Sequence, residues 1–302
     1  MKILNSLNLP NKSKCIFNET GVDSYEKCLD KKHFISYPWQ VVYNYNSRGF
    51  RDCEWPENIT DLKNSIWCLG DSFTVGLGSP LRNTWPYILS EKTNCRTINV
   101  SMDGASNNWI SRKANHIYNE ILPKTIVICW SFLHRREDNV LNKCLDEFLK
   151  FFNDIKDPSW THIHCMSDFN DLPLHIKKEV LLDHCHTTNI NVIYDEDFNI
   201  LNFECLNDEI LRLFATPDSA YEDLENFKRC VQSVHQLSNC NIIHSVIPNF
   251  SDPEYHNYAL NILTEKNCKF IGYFKNLDIA RDGIHFDREH STEMVNRILQ
   301  FF

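Results

Sequence analysis

The sequence predicts an α/β fold, a three-layer α/β/α sandwich built around a mostly parallel sheet. Short apolar runs alternate with segments in which apolar residues recur at helical spacing, and this alternation is typical of a parallel sheet with helices on both faces. The run "TIVICW" at 125–130 is apolar throughout, as expected of a strand that is buried on both sides. Hydrophobic residues make up 42% of the chain and charged residues 24%, a balance that supports a globular core.

The predicted elements follow one another along residues 61–302. The strands are expected at 65–69, 96–100, 125–130 and 241–248. The helices are expected at 84–93, 106–122, 141–155, 222–237 and 288–302. Ser106 is a plausible N-cap of the second helix, because its side chain can accept a hydrogen bond from the first turn. The elements fit a single main domain.

Two regions fall outside this alternation. Residues 1–60 include two β-like runs on either side of Asn46–Gly49, which predict a β-rich extension with a hairpin that packs on the main domain. An irregular insertion at about 158–215, between the third and fourth strands, contains one convincing helical pattern at 172–185. We expect this insertion to form a cap or side wall near the site.

Composition restricts the classes of partner. The formal net charge of −9 argues against a nucleic-acid backbone as the main partner, because such proteins carry a basic face. No run of about 18 apolar residues is present, so we expect no membrane span. The amino terminus lacks the apolar core of a signal peptide, and 13 cysteines are scattered without C-x-x-C pairs. These features predict free thiols and a cytoplasmic location.

A candidate nucleophile follows the first predicted strand, in "CLGDSFTVGLG" at 68–78. Ser72 lies just beyond the carboxyl end of that strand, where sites form in parallel α/β folds. A serine hydroxyl needs a base, usually a histidine that a carboxylate orients. Asp282 and His285 are separated by two residues in "ARDGIH", so one tight turn can bring the carboxylate against the imidazole.

These motifs resemble the SGNH (GDSL-type) hydrolase superfamily, through "GDSFT", the D-x-x-H near the carboxyl terminus and the "NSRGFRD" that precedes the serine strand. The resemblance covers about residues 61–302 and implies a flavodoxin-like strand order. It also implies that Ser72 is the nucleophile, that Asp282 and His285 complete the triad, and that the N–H groups of Ser72 and Gly104 contribute to an oxyanion hole. No cofactor or metal ion is implied.

The chain departs from the family at the third motif, where "CWSFLHRRE" replaces G-x-N-D after the third strand. The asparagine that donates to the oxyanion in the family is missing. Ser131 and Asn107 are candidate substitute donors. Arg135, with Asp71, is expected on the substrate side, where the guanidinium could hold an anionic group.

Two other interpretations of histidine residues compete with the assignment of His285 as the base. His290 is a rival base, but its place at the start of the last predicted helix favours a surface histidine. The "HIHC" (162–165) and "DHCH" (183–186) segments contain zinc-ligand residue types, although their spacing matches no established zinc module.

The sequence predicts a serine esterase that removes O-acyl groups, most plausibly O-acetyl groups, from a small molecule or a carbohydrate. The alternatives are an acyltransferase with the same triad and a non-catalytic binding or structural protein of the same fold. The oligomeric state stays open.

Overall fold

The computed structural model describes residues 14–17, 23–25, 32–133, 135, 190–197, 200–205, 219–248, 253–266 and 268–302, and positions 7, 9, 174 and 177. The strands in this part of the chain are β1 (Ile66–Gly70), β2 (Thr97–Ser101), β3 (Thr125–Trp130), β4 (Ile190–Tyr194), β5 (Ile200–Cys205), β6 (Asn241–Val246) and β7 (Lys269–Phe270). Five of them form one sheet in the order β2-β1-β3-β6-β7, and every neighbouring pair is parallel. The order is the flavodoxin-like one, which confirms the predicted fold class.

Helices cover both faces of this sheet. They are α1 (Lys32–Ser36), α2 (Ile59–Asn64), α3 (Ser72–Val75), α4 (Trp85–Thr93), α5 (Asn107–Ile121), α6 (Ser219–His235), α7 (Pro253–Glu265) and α8 (Arg288–Ile298). Short 3₁₀ turns precede α4 at Leu81–Asn83 and follow α8 at Leu299–Phe301. Residues of α2, α5, α6 and α7 belong to one apolar core, and residues of α3, α4 and α8 belong to the other.

Strand β3 shows how one sequence supplies both cores. Ile126, Ile128 and Trp130 face the first core, whereas Val127 and Cys129 face the second. Successive side chains of a strand point to opposite faces, so an apolar residue is needed at every position when both faces are covered. All six residues of β3 are buried, as the continuous apolar run predicts.

The predicted elements correspond closely to the observed ones where the structure describes them. Ser106 caps α5, because its hydroxyl oxygen accepts a hydrogen bond from the Trp109 N–H at 3.0 Å. Helix α7 and the two-residue strand β7 are additional elements that the apolar pattern did not reveal. The predicted helices at 141–155 and 172–185, and the "HIHC" and "DHCH" segments, lie outside the described residues apart from positions 174 and 177.

The amino-terminal extension does not contain the expected hairpin. Around Asn46 the chain makes a tight turn, and in the described part of the extension its only β-pairing is an isolated antiparallel bridge between Cys15 and Tyr43. Side chains take the place of a partner strand: the Asn46 side chain accepts the N–H groups of Arg48 and Phe50, both at 3.0 Å. Because these backbone donors are already bound, no regular ladder is required.

The insertion contains a feature that was not predicted. Strands β4 and β5 pair in antiparallel fashion and form a sheet of their own, separate from the central one. Among the described residues, no helix combines the length and the apolar character needed to cross a membrane.

Gly70, the last residue of β1, has no room for a side chain. A Cβ atom there would lie 2.1 Å from Thr74 Oγ1 and 2.9 Å from the carbonyl oxygen of Cys129. We therefore expect Gly70→Ala to lower the free energy of unfolding by about 1–3 kcal/mol, the usual cost of overpacking. Urea denaturation measures it, and an unchanged midpoint would contradict this packing argument.

Candidate active site

Ser72 is held at the end of β1 by a short capped helix. Asp71 is the N-cap of α3, and its Oδ1 atom accepts the N–H of Phe73 at 3.0 Å. Ser72 is the first residue of that helix and is only 3% exposed. Gly76 ends the helix with a φ of 74°, a left-handed conformation that glycine adopts without steric cost. We call residues 70–79 the nucleophile turn, after the predicted role of Ser72.

Asp282 and His285 form a buried pair in a single loop. The Nδ1 atom of His285 lies 2.5 Å from Asp282 Oδ2, and Asp282 Oδ1 accepts the N–H groups of Ile284 at 2.9 Å and His285 at 3.0 Å. An ionised carboxylate can only accept, so Nδ1 carries the proton and Nε2 is left as the basic nitrogen of the neutral ring. Gly283 has a φ of 76°, which lets the loop turn this tightly. We call residues 280–285 the catalytic loop, after the predicted role of Asp282 and His285.

The pair shifts the pKa of both of its members. Burial alone would lower the pKa of His285, but the hydrogen bond and charge of Asp282, with the charges of Asp103 and Asp71, raise it above 6.5. Burial alone would raise the pKa of Asp282, but His285 and two backbone N–H groups lower it below 3.8. The stabilisation from His285 is therefore complete below pH 6.5 and declines as pH rises through its raised pKa, whereas that from Asp282 is lost as pH falls through its lowered pKa.

His285 lies against the residues that flank Ser72. Its ring centroid is 4.5 Å from that of Phe73, the residue after the serine. The charge of Asp71, the residue before the serine, acts on the imidazole, as does that of Asp103 beside Gly104. The structure thus brings the predicted nucleophile turn, the catalytic loop and the glycine after β2 together at the carboxyl ends of the strands.

Two backbone N–H groups at this edge are available as donors. Gly104 has a φ of 74° in the turn after β2, and Ser72 is the first residue of α3, where an N–H has no partner within its helix. Within the described residues, neither N–H donates a backbone hydrogen bond.

The two predicted substitute donors make other hydrogen bonds. The Ser131 hydroxyl donates to Asp71 Oδ2 at 2.5 Å. The Asn107 amide nitrogen donates to the carbonyls of Phe132 at 3.0 Å and Ser131 at 3.4 Å, and its oxygen accepts the Ser131 N–H at 3.0 Å. Asn107 therefore holds the loop after β3 in place, and Ser131 joins that loop to the nucleophile turn.

Arg135 completes this link. Its Nη1 atom donates to Asp71 Oδ2 at 2.9 Å and to Ser131 Oγ at 3.2 Å, and its guanidinium lies over the Phe132 ring at 4.9 Å. The Asp71 side chain is fully buried, whereas 28% of the Arg135 side chain is exposed. Asp71 therefore has an internal partner for its charge, and Arg135 is the member of the pair that faces solvent.

His290 is a buried residue, so its interpretation as a surface histidine was wrong. It is 2% exposed and is stacked between the rings of Phe274 and Phe286, with both centroid distances 4.3 Å. Burial lowers the pKa of His290 to about 4, because the charged imidazolium is poorly solvated there. Phe286 lies only four residues before His290, whereas Phe274 lies in the segment after β7, and the helix-start position alone did not reveal this packing.

The strand order, the place of Ser72 after β1 and the place of the Asp282–His285 loop before α8 all fit the SGNH resemblance. The chain has the three-layer α/β/α fold that its resemblance to SGNH hydrolases implies. No protein-family model matches it, and neither does any curated protein. Among solved structures, the chain is similar to the psychrotrophic esterase EstA from Pseudoalteromonas sp. (14% identity, TM-score 0.41, 79% of this chain and 98% of that one).

Two further structures resemble the chain. One is a member of the lipolytic protein G-D-S-L family from Veillonella parvula DSM 2008 (11% identity, TM-score 0.40, 79% of this chain and 97% of that one). The other is the Clostridium thermocellum family 3 carbohydrate esterase (13% identity, TM-score 0.36, 78% and 93%). Similarity at this level says nothing about activity, so the function of the chain must be argued from its own residues.

Arg51 is a site residue that the motif analysis did not single out. Its guanidinium is buried and donates to the carbonyls of Val75 at 3.1 Å and Ser79 at 2.7 Å, and also to that of Gly76. The side chain thereby fixes the nucleophile turn from the amino-terminal side. Its sequence signal was the "NSRGFRD" motif, in which Arg51 is the second arginine.

The Asp282–His285 pair predicts how His285 titrates. In Asp282→Asn the acceptor and its charge are lost while the burial remains, so the pKa of His285 should fall from above 6.5 to below 6.5. NMR titration of the imidazole nitrogens measures this shift. His290 is the internal control, because it should stay neutral above pH 5 in both proteins, given its pKa of about 4. Equal His285 midpoints in the two proteins would contradict the role of the carboxylate.

Proposed function

We propose that the chain is a serine esterase that hydrolyses O-acyl esters, with Ser72 as nucleophile, His285 as general base and Asp282 as the orienting carboxylate. The observation that carries this proposal is the buried Asp282–His285 hydrogen bond of 2.5 Å, in a loop whose imidazole packs on Phe73 beside the serine. A carboxylate that fixes the histidine tautomer next to a serine at a strand end is the arrangement that activates a hydroxyl.

In the proposed reaction, Ser72 Oγ attacks the ester carbonyl carbon and its proton passes to His285 Nε2. The tetrahedral intermediate collapses when the imidazolium gives that proton to the departing alcohol oxygen, which leaves an acyl-serine. Water then attacks the acyl carbon, His285 takes its proton, and the acid is released as the proton returns to Ser72. The N–H groups of Ser72 and Gly104 are the proposed donors to the oxyanion in both steps.

Both candidates for a third oxyanion donor, Ser131 and Asn107, already make other hydrogen bonds. Ser131 or Asn107 could serve only by exchanging hydrogen bonds that they already make, to Asp71 and to main-chain carbonyls respectively. Removing one oxyanion donor costs about 10²–10³ in rate in a well-studied hydrolase. We therefore expect slow turnover with simple esters, and this feature also favours the non-catalytic binding protein as the second candidate.

The proposed substrate carries a small acyl group, most plausibly acetyl, on a carbohydrate or another small alcohol. A small cleft of about 20 Å³ lies between the amino-terminal extension and the nucleophile turn, and its lining includes Val75, Leu77, Met102 and Asp103.

Covalent labelling tests the nucleophile. A fluorophosphonate should add its mass to the peptide that contains Ser72, and Ser72→Ala should abolish both this adduct and the hydrolysis of p-nitrophenyl acetate, because the attacking oxygen is gone. Ser90→Ala is the matched control. Ser90 lies on α4, and its hydroxyl donates to the carbonyl of Cys95, which precedes β2 at the amino-terminal end of the strands. It should keep full activity. A folded wild-type protein that neither reacts nor hydrolyses the ester would favour the binding protein.

The partly exposed side chain of Arg135 predicts a substrate preference. Arg135→Ala should raise KM more for an ester that bears a carboxylate than for its neutral analogue, because a surface cation mainly contributes to ground-state binding. Steady-state kinetics with the matched ester pair measures this ratio. Arg82→Ala, which removes an exposed guanidinium from over the Trp39 ring, is the control. Equal changes in KM for the two esters would show that Arg135 serves only to hold Asp71.

A further inference from the structure

The amino-terminal extension contacts the catalytic loop through a buried ion pair. Arg281, the residue before Asp282, donates from Nε to Asp23 Oδ1 at 3.0 Å and from Nη2 to Asp23 Oδ2 at 2.6 Å. Nη2 also donates to the Ile16 carbonyl at 2.6 Å. This two-pronged geometry fixes the orientation of the guanidinium as well as its position.

Aromatic rings of the extension enclose the same guanidinium. It lies 4.6 Å from the ring centroid of Phe17 and 5.6 Å from that of Phe34. The Asp23 side chain is fully buried, and that of Arg281 is 9% exposed. Charges removed from water to this extent depend on each other, because loss of one partner leaves the other uncompensated.

A second chain of hydrogen bonds leads from Asp23 to the nucleophile turn. Asp23 Oδ2 accepts the Tyr43 hydroxyl at 2.6 Å, and that hydroxyl oxygen in turn accepts the Gly78 N–H at 2.7 Å. The Gly78 carbonyl accepts the Arg281 N–H at 3.0 Å. Asp23 is therefore the common anchor of the catalytic loop and the nucleophile turn.

The two anchored segments are in close contact at Gly78. A Cβ atom on Gly78 would lie 2.9 Å from Asp282 Cγ and 3.0 Å from the Asp282 nitrogen. The position of the carboxylate that orients His285 thus depends on how closely the catalytic loop approaches the nucleophile turn. A displacement of about 1 Å in a catalytic geometry can cost about 10²-fold in rate.

We propose that Asp23 and Arg281 are positioning residues of the triad, so that the amino-terminal extension contributes to the geometry of the active site. The proposal rests on the proposed esterase function. It assigns to the extension a role in setting the distance between the carboxylate–histidine pair and the serine, beyond covering the main domain.

A matched ion pair within the same extension separates positioning from stability. Asp52 pairs with Arg96 at 2.9 Å and accepts the Asn99 N–H at 3.0 Å, so it links the extension to β2 without a described contact to the catalytic loop. Asp23→Asn and Asp52→Asn therefore remove the same charge from two links between the extension and the main domain. The Asp52–Arg96 pair is the more exposed of the two, with 10% and 32% of its side chains accessible, and only Asp23 pairs with a residue of the catalytic loop.

The kinetic test compares these two variants with the wild type, with rates expressed per folded molecule. Asp23→Asn should lower kcat by about 10²-fold with KM unchanged, because loss of positioning affects the transition state more than ground-state binding. Asp52→Asn should lower the thermal midpoint while its kcat stays at the wild-type value. If both variants retain the wild-type kcat per folded molecule, or both lose it equally, the positioning role is wrong.

Tyr43→Phe covers the case in which Asp23→Asn does not fold. It removes only the hydroxyl between Asp23 and Gly78, and it leaves the Asp23–Arg281 ion pair in place. One hydrogen bond of about 1 kcal/mol corresponds to a fall of about fivefold in kcat. An unchanged kcat in folded Tyr43→Phe would overturn the link to the nucleophile turn.

A readout that needs no turnover separates this proposal from the proposed function. The proton on His285 Nδ1, which is hydrogen-bonded to Asp282, should give a low-field NMR signal that disappears in His285→Gln. This signal should broaden through faster solvent exchange in Asp23→Asn and persist in Asp52→Asn. That pattern in a protein without esterase activity would support the positioning role and refute the esterase, whereas a sharp signal in Asp23→Asn would overturn the positioning role.

Discussion

The buried carboxylate of Asp282 is the constraint on which the rest of the site depends. A charge that is removed from water must be hydrogen-bonded, and Asp282 is satisfied by His285 Nδ1 and by two N–H groups of its own loop. This arrangement requires a turn that is left-handed at Gly283 and a neighbour without a side chain at Gly78. The same requirement that makes the loop tight also leaves Nε2 of the imidazole as its unprotonated nitrogen in the neutral state.

The loop after β3, where an oxyanion donor was expected, binds the Asp71 side chain instead. In this chain the first polar side chain after the strand, Ser131, donates to Asp71, and Arg135 neutralises the same carboxylate. Asp71 caps the helix that begins with Ser72, so the loop after β3 stabilises the nucleophile turn through the cap. Hydrogen-bond donors committed in this way are costly to redirect, and the backbone N–H groups of Ser72 and Gly104 are left to bear more of any oxyanion charge.

Much of the fold could be predicted, because the information is local. The continuous apolar run of β3, the helical spacing of α5 and the Asp282–His285 spacing each lie within one short segment. The ion pair between Asp23 and Arg281 could not be predicted, since 258 positions separate the two residues and no periodicity connects them. The hairpin expected around Asn46 failed for a related reason, because side-chain acceptors replaced the strand partner that its β-like flanks implied.

Three arginines hold the site together, and each joins segments that are distant in sequence. Arg51 binds main-chain carbonyls of the nucleophile turn, Arg135 binds the Asp71 cap, and Arg281 binds Asp23. A planar guanidinium can bind several acceptors at once, so each contact restricts orientation as well as distance. Two of the three are deeply buried, where an unpaired cation would be strongly unfavourable. The structure around Ser72 therefore depends on contacts from the extension, the β3 loop and the catalytic loop, which are distant from one another in sequence.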